Sequence, residues 1–184
     1  MNIGLILVVA IVLLLVFYVI GVYNKLVTYR NRVNNQLSQI DVQLKRRADL
    51  IPNLVETVKG YAKHEKDTFK EVVEARNSAL TASSIDEKAA ADKEITGALN
   101  KLFALTEAYP ELKANENFMS LQSDLKDTED KITYARQFYN DSAMTFNDLV
   151  QVFPSNIIAN LFGFKEFTFF NATEEDKKTP KVKF

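Results

Sequence analysis

The chain has one histidine, His64, and no cysteine, which leaves few routes to chemistry. His64-Glu65 opens an HExxH zinc-protease motif, but Thr68 stands where the second metal-binding histidine must be. A carboxylate-bridged di-iron bundle needs two Glu-x-x-His pairs, yet Tyr61 lies three before His64 and no second histidine exists. A serine triad needs a histidine base. His64 lies among Lys63, Glu65 and Lys66, in a mid-helix setting that reads as solvated surface. Phosphate-cradling loops need clustered glycines, whereas Gly60 and Gly97 stand alone. Without cysteine, disulfides, thiolate catalysis and cysteine metal sites are excluded. The expectation is no enzyme, no metal and no cofactor.

Two charged constellations remain. Asp41 lies four before Lys45 and five before Arg46, and Glu56 lies three before Lys59. With Arg47 these form a candidate partner site at a helix turn. The simpler reading is intrahelical pairing, worth a few tenths of a kcal/mol per pair. The second constellation, Arg136 to Asp141 (RQFYND), reads as a groove lining, or as a core tyrosine, Tyr139, with Arg136 and Asp141 at its rim.

The elements that position these residues are helices. Five glycines and four prolines in 184 residues leave long stretches without breakers. Ile3 to Val22 holds no charged residue, and twenty residues at ~1.5 Å each span the ~30 Å hydrocarbon layer. A cleaved signal peptide fits less well, because Met1-Asn2 has no basic side chain and no small-x-small site follows. Tyr18 and Tyr23 fall at interfacial positions. Lys25, Arg30, Arg32, Lys45, Arg46 and Arg47 follow the span, against the single acid Asp41. The positive-inside rule therefore puts the N-terminus outside and the bundle in the cytoplasm. The same bases face anionic lipid, or merely encode orientation. A net charge of -1 points away from nucleic acid.

Beyond the span, Val22, Leu26, Tyr29, Val33, Leu37, Ile40, Leu44 and Ala48 form one helical stripe. Anchor and first bundle helix are expected to be one rod. Asp49 as N-cap and Pro52 in a first turn predict a break there. A second helix then carries Leu54, Val58, Tyr61, Phe69, Val72 and Ala79, with Val55, Ala62 and Val73 widening its apolar face. Ser84 and Glu87 make a capping box for a third helix carrying Ala91, Ile95, Ala98, Leu102, Leu105 and Tyr109, closed by Pro110.

A fourth helix shows a seven-residue seam, Phe118, Leu125, Ile132, Tyr139, Phe146 and Phe153. Such a seam is a coiled-coil signature, but its companion row (Leu121, Thr128, Ala135, Ser142, Leu149) is small or polar in the middle. Packing inside its own bundle follows. Ser155 to Phe164 reads as a short amphipathic helix capped by Ser155 or Asn156 and stopped at Gly163. Phe162, Phe164, Phe167, Phe169 and Phe170 should cover the bundle end or a neighbouring subunit. The polar tail from Asn171 has the composition of disorder.

The blocks Tyr23–Val27, Gln39–Glu65, Ala75-Arg76, Tyr109–Phe118, Thr128–Ile132, Ala135-Arg136, Tyr139-Asn140 and Phe153–Ala159 together give the chain its likeness. It resembles the LemA family of bacterial membrane proteins over about Tyr23 to Phe170. Gln36-Leu37 stands where that family usually has an alanine-tryptophan pair. The resemblance implies an N-terminal membrane helix with a small external N-terminus, and a four-helix bundle. It brings no catalytic residue and no reaction. It also implies kinship with proteins that shape magnetosome membranes, without transferring that role.

The expected architecture is all-α. A transmembrane anchor spans 1–22, a helical bundle 23–170 and a polar tail 171–184. The expected role is a single-pass scaffold in the bacterial inner membrane, contacting lipid and further copies of itself. The alternative is a tethered adaptor for an unidentified protein, with Asp41, Arg46, Arg47 and Arg136 as contacts.

Overall fold

The structure is a computed structural model that describes residues 3–170; the tail assigned to disorder lies outside them. Six helices and no strand occur among the described residues. They are α1 (Ile3–Lys59), α2 (Lys66–Thr81), α3 (Ile85–Thr106), α4 (Pro110–Lys113), α5 (Glu116–Gln151) and α6 (Ser155–Leu161). Two compact units divide the chain. Among the described residues, one holds those from Ile3 to Leu37 with Gln137–Thr168, the other Ser38–Arg136 with Phe169 and Phe170.

The apolar stripe behaves as its spacing requires. Leu26, Val33, Ile40 and Ala48 are buried, and Val22, Tyr29, Leu37 and Leu44 between them are half-buried. The break at Asp49–Pro52 is not there: α1 runs 57 residues, through Pro52. Proline deletes the N–H that would bond the carbonyl four residues back, a loss of about 3 kcal/mol in a helix interior. Here that carbonyl belongs to Ala48, and the Arg76 side chain donates to it from Nε at 2.8 Å. Burial of Ile51, Leu54, Val55 and Val58 on both sides of the proline's turn holds the helix together.

The chain leaves α1 at Gly60 instead. Tyr61 and Ala62 both donate their N–H to the Val58 carbonyl, at 3.0 and 2.9 Å. His64 lies exposed in this turn, not within a helix. Leu54 and Val58 thus belong to α1, while Phe69, Val72 and Ala79 lie on α2; Val73 is exposed.

The second unit is a four-helix core. Ile51 to Val58 from α1, Phe69, Val72 and Ala75 from α2, Ile95 to Leu102 from α3, and Phe118 and Leu125 from α5 form one cluster, joined by Leu112. The Ser84–Glu87 capping box is formed in both directions at the start of α3. Asn115 caps α5, its Oδ1 accepting from the Phe118 N–H at 3.0 Å.

The seven-residue seam of α5 is buried from Phe118 through Phe146. Phe153, its sixth member, is 74% exposed, because α5 ends at Gln151 and the turn to Pro154 carries it off the register. Thr128 and Ser142 of the companion row are buried, as packing inside the protein requires.

Ser155 is the first residue of α6, not its cap. Its hydroxyl donates back to the Val152 carbonyl at 2.8 Å. Gly163 does stop the helix, with φ +71°. Phe164 donates its N–H to the Ala159 carbonyl and Gly163 to that of Asn160, a Schellman closure with glycine at the left-handed position.

Candidate functional site

In the second unit, three helices deliver charged side chains to a single cluster. Arg47 from α1 is 2% exposed, and its Nη1 donates to Asp92 Oδ1 at 2.6 Å. Arg136 from α5 donates from Nη2 to Asp92 Oδ2 at 2.8 Å. Arg47 Nη2 also lies 3.7 Å from Glu129 Oε2, and the Arg136 guanidinium stacks 5.4 Å from the Phe170 ring centre. Both oxygens of Asp92 are thereby occupied by guanidinium N–H groups. The arrangement is a charged crosslink between α1, α3 and α5. Breaking such a buried set by removing one partner is strongly destabilising, whereas its net stabilisation is small.

The sequence signalled Arg47 and Arg136 but not Asp92. Asp92 occupies an apolar register position, three, seven and ten before the buried Ile95, Leu99 and Leu102. An acid in such a stripe is the sign that a buried partner waits opposite.

The other candidate charges sit apart from that cluster. Asp41 pairs with Lys88 of α3 at 2.6 Å, not with Lys45, which pairs with Asp49 at 3.3 Å. Arg46 is exposed, 3.8 Å from Asp124 and 3.9 Å from Asp127, as surface pairs of small worth. Glu56 and Lys59 do pair within the helix, at 2.9 Å.

Two side chains feel their surroundings strongly. Backbone N–H bonds from Ser83 and then Ser84 hold the Glu87 carboxyl at about 2. Burial pushes the Tyr139 phenol up to about 12. Tyr139 Oη donates to the Thr168 carbonyl at 2.8 Å, so the core reading of this tyrosine holds.

The first unit gathers aromatics. Tyr23 of α1 meets Phe162 at 4.8 Å and Phe164 at 5.9 Å between ring centres. Phe146 of α5 meets Phe164 at 6.2 Å and Phe167 at 5.1 Å. Arg30 lies over the Phe164 ring at 5.3 Å. Asn147 clamps the segment after α6: its Oδ1 accepts from the Phe167 N–H and its Nδ2 donates to the Phe167 carbonyl, each at 2.9 Å. Phe164 and Phe170 are buried and Phe167 half-buried, but Phe162 and Phe169 stay exposed. Nothing in the sequence marked Asn147, a lone amide one residue beyond the seam position Phe146.

No group of three or more histidine, aspartate or glutamate side chains is placed to hold a metal among the described residues. α1 contains a segment long and apolar enough to cross a membrane, and none of that segment is buried against protein.

The LemA family profile matches residues 36–184. The chain belongs to the LemA family. Relatives within reach include magnetosome protein MamQ of Magnetospirillum gryphiswaldense, 28% identical over 175 residues that cover 81% of this chain and 64% of the relative. Protein LemA of Metamycoplasma hominis is 27% identical over 166 residues, 88% of this chain and 74% of its own. Magnetosome protein MamQ 2 of Paramagnetospirillum magneticum is 28% identical over 174 residues, again 64% of its length. The chain thus spans just under two thirds of the MamQ proteins it matches.

Proposed function

We propose that this LemA-family chain is a membrane-anchored, non-enzymatic scaffold that self-associates and organises or shapes its membrane. The observation that carries the reading is α1 itself. The exposed apolar segment and four residues of the bundle core, Ile51, Leu54, Val55 and Val58, lie on one helix without a break. The buried charges are spent on holding helices together, while Tyr134 and Phe138, four apart on α5, stay exposed. Each of them, taken singly, is offered as a contact between copies. Kinship with proteins named magnetosome proteins accords with a role at a membrane. In this reading the N-terminal side of the span lies outside a bacterial inner membrane and the bundle lies in the cytoplasm, from the excess of basic residues after the span.

The test uses the absence of native cysteine. A single Phe138→Cys or Tyr134→Cys variant, oxidised in native membranes, should give a covalent dimer. Failure at either position removes the contact there, and failure at both removes this assignment. A reporter fused after Phe184 that is active outside the membrane overturns the orientation.

A second reading, a tethered adaptor, is favoured by a groove of about 600 Å³ between α2 and α3. The small side chains of Ala75, Ala90, Gly97 and Ala98 leave this space open, and Glu71, Glu74, Glu94, Lys93 and Lys101 line it as well. A partner helix with a mixed-charge rim would suit it. Of the charges assigned to the adaptor reading, Arg47 is sealed inside, so the groove replaces it as the point to probe. Ala90→Trp should abolish capture of such a partner without lowering helicity.

A further inference from the structure

Gln151 to Phe164 is fourteen residues without a charged side chain. Folding divides its apolar groups between two faces. Ile158 and Ala159 of α6 are buried against the protein. Val152, Phe153, Ile157, Leu161 and Phe162 are turned out to solvent, Leu161 at 76% exposure. Ile157 and Leu161, four apart, share one side of α6. So many large apolar groups on so short a segment is more than scattered surface exposure.

The same unit shows what lies against them. Phe162 packs on Tyr23, the first residue after the uncharged run Ile3 to Val22. Tyrosine at that point of a spanning helix sits at headgroup level. Phe162 is therefore held at the height where the bilayer begins. The Schellman closure at Gly163 then turns the chain back, so that Phe164 lies between Tyr23 and Arg30. Arg30 is seven residues further along α1, about 10 Å at the helical rise. The segment thus climbs from the membrane surface after Phe162. No acidic residue precedes Asp41, and Lys25, Arg30 and Arg32 flank the contact, as anionic headgroups would favour.

We infer that the turn Val152–Pro154 and helix α6 form a second membrane contact, bedded in the interfacial layer beside α1, with Phe153, Ile157, Leu161 and Phe162 among the lipid tails' upper ends. The occupant of this apolar face is lipid. A helix lying in the interface buries its apolar side about 5–10 Å deep. With two contacts, the anchor helix loses freedom to tilt and rotate. The inference rests on α1 spanning the bilayer and is independent of self-association.

The test uses full-length protein reconstituted in phosphatidylcholine–phosphatidylglycerol vesicles. An environment-sensitive dye is placed at Leu161→Cys, at Phe153→Cys, and at Lys70→Cys on α2 as reference. Lipid with a spin label near the headgroup should quench the first two several-fold more than the reference, with a blue-shifted emission. All three positions are exposed, so folding is preserved, and far-UV helicity verifies it. Water-like emission at both test positions overturns the inference. So does shielding that lipid does not quench and that disappears on dilution to one chain per vesicle, which would mean that a second copy covers the face.

Discussion

The passage of α1 through Pro52 makes a quantitative prediction. Pro52 leaves the Ala48 carbonyl without its helical donor, and Arg76 Nε supplies one at 2.8 Å. Ala48 is buried, so water cannot replace the lost bond. Arg76→Met keeps the side chain's apolar stem and removes the donor. The cost of an unsatisfied buried carbonyl is about 1–3 kcal/mol. Pro52→Ala returns the missing N–H to the helix and removes the ring clash. It gains part of the ~3 kcal/mol that an interior proline costs, less the freedom returned to the unfolded chain. In the Pro52→Ala background the carbonyl has its own partner, so Arg76→Met should cost no more than about 1 kcal/mol. The double-mutant cycle should therefore show a coupling of about 1–2 kcal/mol. Urea unfolding of the four full-length proteins in detergent, followed by far-UV circular dichroism, measures it. An equal cost of Arg76→Met in both backgrounds refutes the reasoning.

Three further outcomes follow from the same geometry. Asp92→Ala strands Arg47 in the core and should cost about 3–5 kcal/mol, whereas Arg47→Met, Asp92→Leu and Arg136→Met together should cost less than that single change. Tyr139 should make stability fall with rising pH. Its folded value of about 12 lies above the ordinary ~10, so the folded state alone keeps the proton between the two. The contribution is whole below pH ~10 and shrinks by up to about 2–3 kcal/mol as pH approaches 12; Tyr139→Phe removes that component of the slope. Glu87 should titrate at about 2 by carbon-detected NMR, and a midpoint in the usual carboxylate range would show that its bonds from Ser83 and Ser84 are not kept in solution.

Much of the architecture was legible because periodicity reports burial directly. The stripe from Val22 to Ala48, the seam from Phe118 to Phe146, the Ser84 box and the Gly163 stop each depend on residues close in sequence, and each is present. The errors came where a distant residue decides. Local chemistry at Asp49 and Pro52 argues for a helix start, and only Arg76, 28 residues from Ala48, makes an unbroken helix tolerable. Asp41 has Lys45 within one turn, yet Lys88 of another helix takes it. Arg47 looked like a surface contact from its basic neighbours, and burial against Asp92 was invisible without the packing of α1 on α3. For the aromatic cluster, composition required cover for the phenylalanines but could not divide them. Asn147 and Tyr139 do so by fixing the backbone at Phe167 and Thr168, which turns Phe164 and Phe167 inward and leaves Phe162 and Phe169 out.

The central claim is a self-associating membrane scaffold, and the mass of the full-length protein in mild detergent tests it most directly. Light scattering at micromolar concentration, with the detergent contribution subtracted, should give a uniform assembly of several 20.9 kDa chains. A protein mass equal to one chain would contradict the claim.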